Sequence, residues 1–169
     1  ASSYANAVAD VTNGISQSAS GAAASVTLDN ANLINVAATA NADASSESGS
    51  AYAAANVDNG IDQSANGTAV TIDLANSGTI SVDALASASA SSAYADAGIG
   101  YGVNQNAFEA TTSTVSLTNS SPDSIDISAA ASAYGGVYGS ASAAINGGIN
   151  QIASGTTSAA IDLGNTGSI

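Results

Sequence analysis

The sequence predicts an all-β fold, a β-solenoid of stacked strand-turn-strand arches in four repeats, and three observations predict it. A block of the form Gly-(Ile/Val)-x-Gln-x-Ala occurs four times, a second block, (Val/Ile)-x-Leu-x-Asn, follows each copy, and small or apolar residues alternate with polar ones in both. Self-similarity at a fixed period marks an array whose units bury their apolar faces by stacking on one another. The chain reads as a single repeat domain, 1–169, with approximate repeats 1–44, 45–90, 91–133 and 134–169. A β-sandwich fibre subunit is the alternative, because repeat length alone does not separate the two.

The first block places Gly14, Gly60, Gly102 and Gly148 three residues ahead of Gln17, Gln63, Gln105 and Gln151. Asn13-Gly14 is a favoured turn pair, since both residue types tolerate positive φ, so the four glycines are predicted to sit in turns. Gln17 shares its parity with Ile15 and Ala19 and is therefore predicted to face inward with them. A buried amide without partners costs about 1–3 kcal/mol. Stacked copies satisfy one another, so the four glutamines are expected to form a structural ladder.

The second block ends at Asn30, Asn76, Asn119 and Asn165, which are assigned to the same kind of ladder. An isoleucine follows at Ile34, Ile80, Ile125 or Ile169, four residues on except in the third copy, where the gap is six and holds the only proline, Pro122. Insertions and proline belong in turns, so a turn is predicted between Asn and Ile.

Between the blocks, Ala5, Ala7, Ala9 and Val11 share one parity, as do Ile34, Val36, Ala38, Ala40, Ala42 and Ala44. This period of two puts one set on a single strand face. Alanine favours helix, but the frequent Ser, Thr, Asn and Gly and the β-branched residues at alternate positions oppose it. Each repeat then reads as two arches of about 23 residues, stacked along a rod at the ~4.8 Å strand spacing. Tyr4, Tyr52, Tyr94 and Tyr138, one per repeat, fall on the opposite parity and should be exposed. Lateral contact between filaments and ordinary strand-surface packing both account for them.

Composition narrows the chemistry. The 169 residues include no Lys, Arg, His, Cys, Met or Trp, and the formal charge is −13. An imidazole, amine or thiolate catalyst is thereby absent, and no motif pairs two carboxylates, so the reading is non-enzymatic with no cofactor. Nucleic acid is excluded as a partner because phosphate binding requires cations. No stretch approaches the ~20 apolar residues of a membrane helix, so no membrane insertion is expected. Asp58, Asp62, Asp73 and Asp162 are scattered without an EF-hand or nonapeptide loop; solvated surface charge is the favoured reading and Ca²⁺ the minor one.

Arches with an inward Gln, turn Asn and Gly, and small alternating residues resemble the repeats of curlin-type bacterial functional amyloids, and more loosely those of repetitive bacterial surface adhesins. The resemblance is one of pattern and spans the chain. It implies an extracellular or cell-surface structural protein, a fibre or biofilm-matrix filament assembling from copies of itself, head to tail. The fourth repeat stops at Ile169, where the others continue into an alternating strand, and neither terminus carries a polar capping unit. The expectation is a window of a longer repeat protein or a subunit that polymerises. A surface adhesin stalk and an ice-binding β-solenoid are the competing functions; the latter calls for an outward Thr column, and none persists through all four copies.

Overall fold

The computed structural model describes residues 3–44 and 46–169. The described chain is all-β, 87% strand without helix, and forms a curled parallel sheet. Seven strands follow in order: β1 (Tyr4–Ser20), β2 (Ala23–Asn30), β3 (Leu33–Asp43), β4 (Ser50–Asn66), β5 (Ala69–Asn76), β6 (Thr79–Asn119) and β7 (Ser124–Asn165). The sheet order is β1-β4-β6-β5-β2, with β3 and β7 each pairing β6. Every one of these pairings is parallel, unlike the antiparallel sheets of the sandwich alternative.

Register follows the sequence repeat. Gln17 lies opposite Gln63, Gln63 opposite Gln105, and Gln105 opposite Gln151. Asn30, Asn76, Asn119 and Asn165 are matched in the same manner. Paired residues in these columns lie 42 to 46 positions apart. The 23-residue arch is thus not the unit of stacking. A half-repeat would bring the Gln block beside the Leu-Asn block, whereas full-repeat pairing sets like on like and lets identical amides bond.

The predicted turns at Gly14, Gly60, Gly102 and Gly148 are also corrected. These glycines lie inside β1, β4, β6 and β7, and the only positive-φ glycine among the described residues is Gly21. For Gly14, Gly60 and Gly102 the role is close approach rather than left-handed backbone. A Cβ on Gly14 would meet the Val36 side chain and come within 2.6 Å of the Gly60 carbonyl oxygen; on Gly60 it would lie 2.5 Å from both the Gly102 oxygen and Val82 Cγ2. On Gly102 it would strike the Ile127 side chain. Val36, Val82 and Ile127 form one column of β3, β6 and β7, so these glycines open the space that a β-branched column of the facing strands fills.

Breaks between strands occur at Gly21-Ala22 and Gly67-Thr68, and between each ladder asparagine and the next strand at 31–32, 77–78 and 120–123. The last of these contains Pro122. The third and fourth repeats have one more residue between Gln and Asn than the first two, and β6 absorbs it around Ala110, where the register shifts and Glu109 adopts φ 52°.

The core has two parts. The larger joins the inward alanines and branched residues of β1 and β4 to those of β3, β5, β6 and the start of β7, with Ile61, Leu74, Ile80, Ile99, Leu117 and Ile125 its bulkiest members. The smaller lies between the second halves of the repeats, around Ala24, Val26, Val70, Ile72, Ala107 and Val115. Alanine contributes little apolar area, so cohesion rests on continuous main-chain ladders and on the few large residues set among them.

Burial changes sharply toward β7. Ile72 and Leu74 are fully buried, whereas Ile161 and Leu163, their counterparts in β7, are 52% and 50% exposed. Leu74→Ala is therefore expected to cost about 2–5 kcal/mol of stability, and Leu163→Ala under ~1 kcal/mol. Urea denaturation of the two variants measures the difference.

Candidate functional site

The residues that repeat most strictly converge on two internal amide files and on the outermost strands they reach. Alternation carries Gln63 and Gln105 inward, where both are fully buried. Gln63 Nε2 donates to Gln17 Oε1 at 2.9 Å, Gln105 Nε2 to Gln63 Oε1 at 2.8 Å, and Gln151 Nε2 to Gln105 Oε1 at 2.8 Å. Across the interior Gln17 Nε2 donates to the Thr27 carbonyl at 3.2 Å, Gln63 Nε2 to that of Asp73 at 3.4 Å and Gln105 Nε2 to that of Ser116 at 3.0 Å. Both amide hydrogens of Gln63 and Gln105 are thereby directed. A flipped amide would press its oxygen against a carbonyl oxygen, so orientation is fixed.

The asparagine file runs the other way. Asn30 Nδ2 donates to Asn76 Oδ1 at 2.7 Å, Asn76 Nδ2 to Asn119 Oδ1 at 2.7 Å, and Asn119 Nδ2 to Asn165 Oδ1 at 2.8 Å. Each also ties down the bend that follows its strand: Asn30 Nδ2 reaches the Asn32 carbonyl at 3.1 Å, and Asn76 Nδ2 the Gly78 carbonyl at 2.9 Å. Asn30 Oδ1 accepts from the Asn32 amide, an Asx-type closure of the bend. These asparagines end their strands because the side chain supplies the hydrogen bonds the turning backbone gives up.

Further side-chain pairs lie on the outer face of the strands, and the sequence did not reveal their pairing. Asn59 donates to Asn13 at 3.0 Å, Asn104 to Asp62 at 2.9 Å, and Asn150 to Asn104 at 2.7 Å. Equal spacing of Asn13 and Asn59 from their repeat glycines was the available signal.

The four tyrosines do not form one file. Tyr52 pairs with Tyr94, but Tyr4 lies opposite Ser50 and Tyr138 opposite Ser92, each displaced along its strand. The displacement brings the Tyr94 and Tyr138 rings to a centroid distance of 5.2 Å at 44°. All four side chains are exposed.

No family model, curated protein or solved structure matches the chain.

Open clefts also mark the surface. One of about 470 Å³ is lined by Asp43, Glu47, Ser89 and Val137, and one of about 450 Å³ by Asp10, Asn56, Asp58 and Asn146. Among the described residues no group of three or more His, Cys, Asp or Glu is placed to hold a metal ion. The groups that offer unfilled bonding capacity in a regular array are instead the outer margins of the sheet. β1, β2 and β3 form one margin, each hydrogen-bonded to a neighbour strand on one side only, and β7 the other, open except at its start, where Ser168 bridges Ser124 and Ile125.

Proposed function

We propose that this chain is a structural segment of an extracellular fibre or surface matrix, a β-solenoid of four repeats that assembles from copies of itself head to tail, without catalytic activity or a cofactor. The observation that carries the reading is the register: equivalent residues of successive repeats lie opposite one another, and the sheet finishes at both margins with strands able to accept a further repeat. A parallel array whose outermost units expose the residues that inner units bury gains most from another copy, which re-covers Ile161 and Leu163 at about 25 cal/mol per Å². The anionic exterior, −13 without a compensating cation, keeps the sides of such filaments apart and leaves growth to the ends. Inward amides of the curlin-like kind belong to the same reading.

Fibre diffraction and electron microscopy of the purified chain test it. Filaments with a ~4.8 Å repeat along the axis are expected. A stable monomer by sedimentation at high concentration sinks the proposal.

A further inference from the structure

We infer that the two amide files, running with opposite donor polarity, set the direction and register in which one copy adds to the next. This rests on the fibre reading above and specifies which margin meets which.

Each glutamine gives its nitrogen to the preceding repeat, so the file begins with an open donor at Gln17 and finishes with an open acceptor, Gln151 Oε1. Each asparagine gives its nitrogen to the following repeat, so that file begins with acceptor capacity at Asn30 Oδ1 and finishes with a donor, Asn165 Nδ2, whose bond within the chain is to the Gly167 carbonyl. The margin made by β1, β2 and β3 therefore presents a donor at Gln17 and an acceptor at Asn30. The β7 margin presents the complement at the same two positions.

When the β1–β3 margin of one copy meets the β7 margin of another in the repeat register, Gln17 donates to Gln151 of the neighbour and the neighbour's Asn165 donates to Asn30. Both files then continue unbroken across the joint. Two like margins brought together set donor against donor in one file and acceptor against acceptor in the other. A slip by one residue removes both amides from their partners and turns the apolar columns outward. Because the cross-interior carbonyls of Thr27 and Ser116 and the bend carbonyls of Asn32 and Gly167 hold the amides, neither file can reverse to rescue a wrong joint. The occupant of each margin is therefore a second copy of this chain, with opposite margins in contact. Such a joint is heterologous and does not close on itself, which generates a filament.

Two substitutions reverse one outward-facing donor each while keeping the bond accepted within the chain. Gln17→Glu still accepts from Gln63 but gives up its bond to the Thr27 carbonyl, Asn165→Asp still accepts from Asn119 but gives up its bond to the Gly167 carbonyl, and each presents a carboxylate oxygen where the joint requires a donor. Association through the altered margin is expected to weaken at least a hundredfold. Each variant alone should remain unpolymerised. An equimolar mixture should give a 1:1 heterodimer by analytical ultracentrifugation and native mass spectrometry, because the intact β7 margin of the first variant meets the intact β1–β3 margin of the second. Circular dichroism establishes that both variants are folded. Independently of any variant, image reconstruction of wild-type filaments should show polar strands with adjacent subunits related by translation and twist. Filaments built on two-fold joints, or variants that polymerise like wild type, overturn the inference while leaving the fibre reading intact. Absence of any wild-type filament removes the fibre reading, and this inference with it.

Discussion

Gln105→Leu is expected to lower the free energy of unfolding by about 3–5 kcal/mol, although leucine matches the apolar surroundings in size. Gln105 is fully buried and holds three partners: its nitrogen serves Gln63 Oε1 and the Ser116 carbonyl, and its oxygen accepts from Gln151. Removing the amide leaves those groups without the bonds they were desolvated to make, and each such orphan costs about 1–3 kcal/mol, less whatever rearrangement recovers. Gln151→Leu provides the control. It removes one bond at the outer margin, where water replaces the partner, and a loss near 1 kcal/mol is expected. Chemical denaturation of both variants decides the matter, and equal losses would show that the file contributes nothing beyond side-chain volume.

Gly60→Ala is the second large effect, about 3 kcal/mol or more. The added methyl group would lie 2.5 Å from the Gly102 carbonyl oxygen and from Val82 Cγ2. A side chain can rotate away, but a carbonyl in a paired strand moves only with its ladder. Gly148→Ala, whose methyl would meet only Ile127 Cδ1 at 3.7 Å, is expected to change stability by less than ~1 kcal/mol. Combining Gly60→Ala with Val82→Ala relieves one of the two clashes and should restore little, because the backbone contact persists. Thermal unfolding of the three variants reports the order, and a tolerated Gly60→Ala would mean that the strands are farther apart than the geometry states.

The repeat, the strand character and the inward set of residues were legible because alternation of Ala, Val and Ile with polar residues fixes which face each side chain takes, and Gln63 and Gln105 follow from parity alone. What escaped was the meaning of glycine. Asn13-Gly14 carries the composition of a tight turn, yet its conformation is decided by Val36, a residue distant in sequence whose side chain occupies the space beside it. Local preference for positive φ is weak against such a contact. The stacking distance was equally hidden. Two arches of similar length and composition make a half-repeat look like a unit, and only pairing of like amides across the full repeat distinguishes the two. Tyr138 shows a third limit: it sits ten residues before its glycine where Tyr52 and Tyr94 sit eight, and that offset of two keeps its face but moves it off their file.

The link between β3 and β4 runs from Asp43 to Ser50, whereas the equivalent stretch one repeat later, Ser89 to Ser92, lies within the uninterrupted β6. Four residues are thus gained or lost at this corner while the columns on either side stay aligned. Chain length there is uncoupled from the rest of the scaffold. A foreign loop grafted between those two strands should leave the amide columns on either side in line.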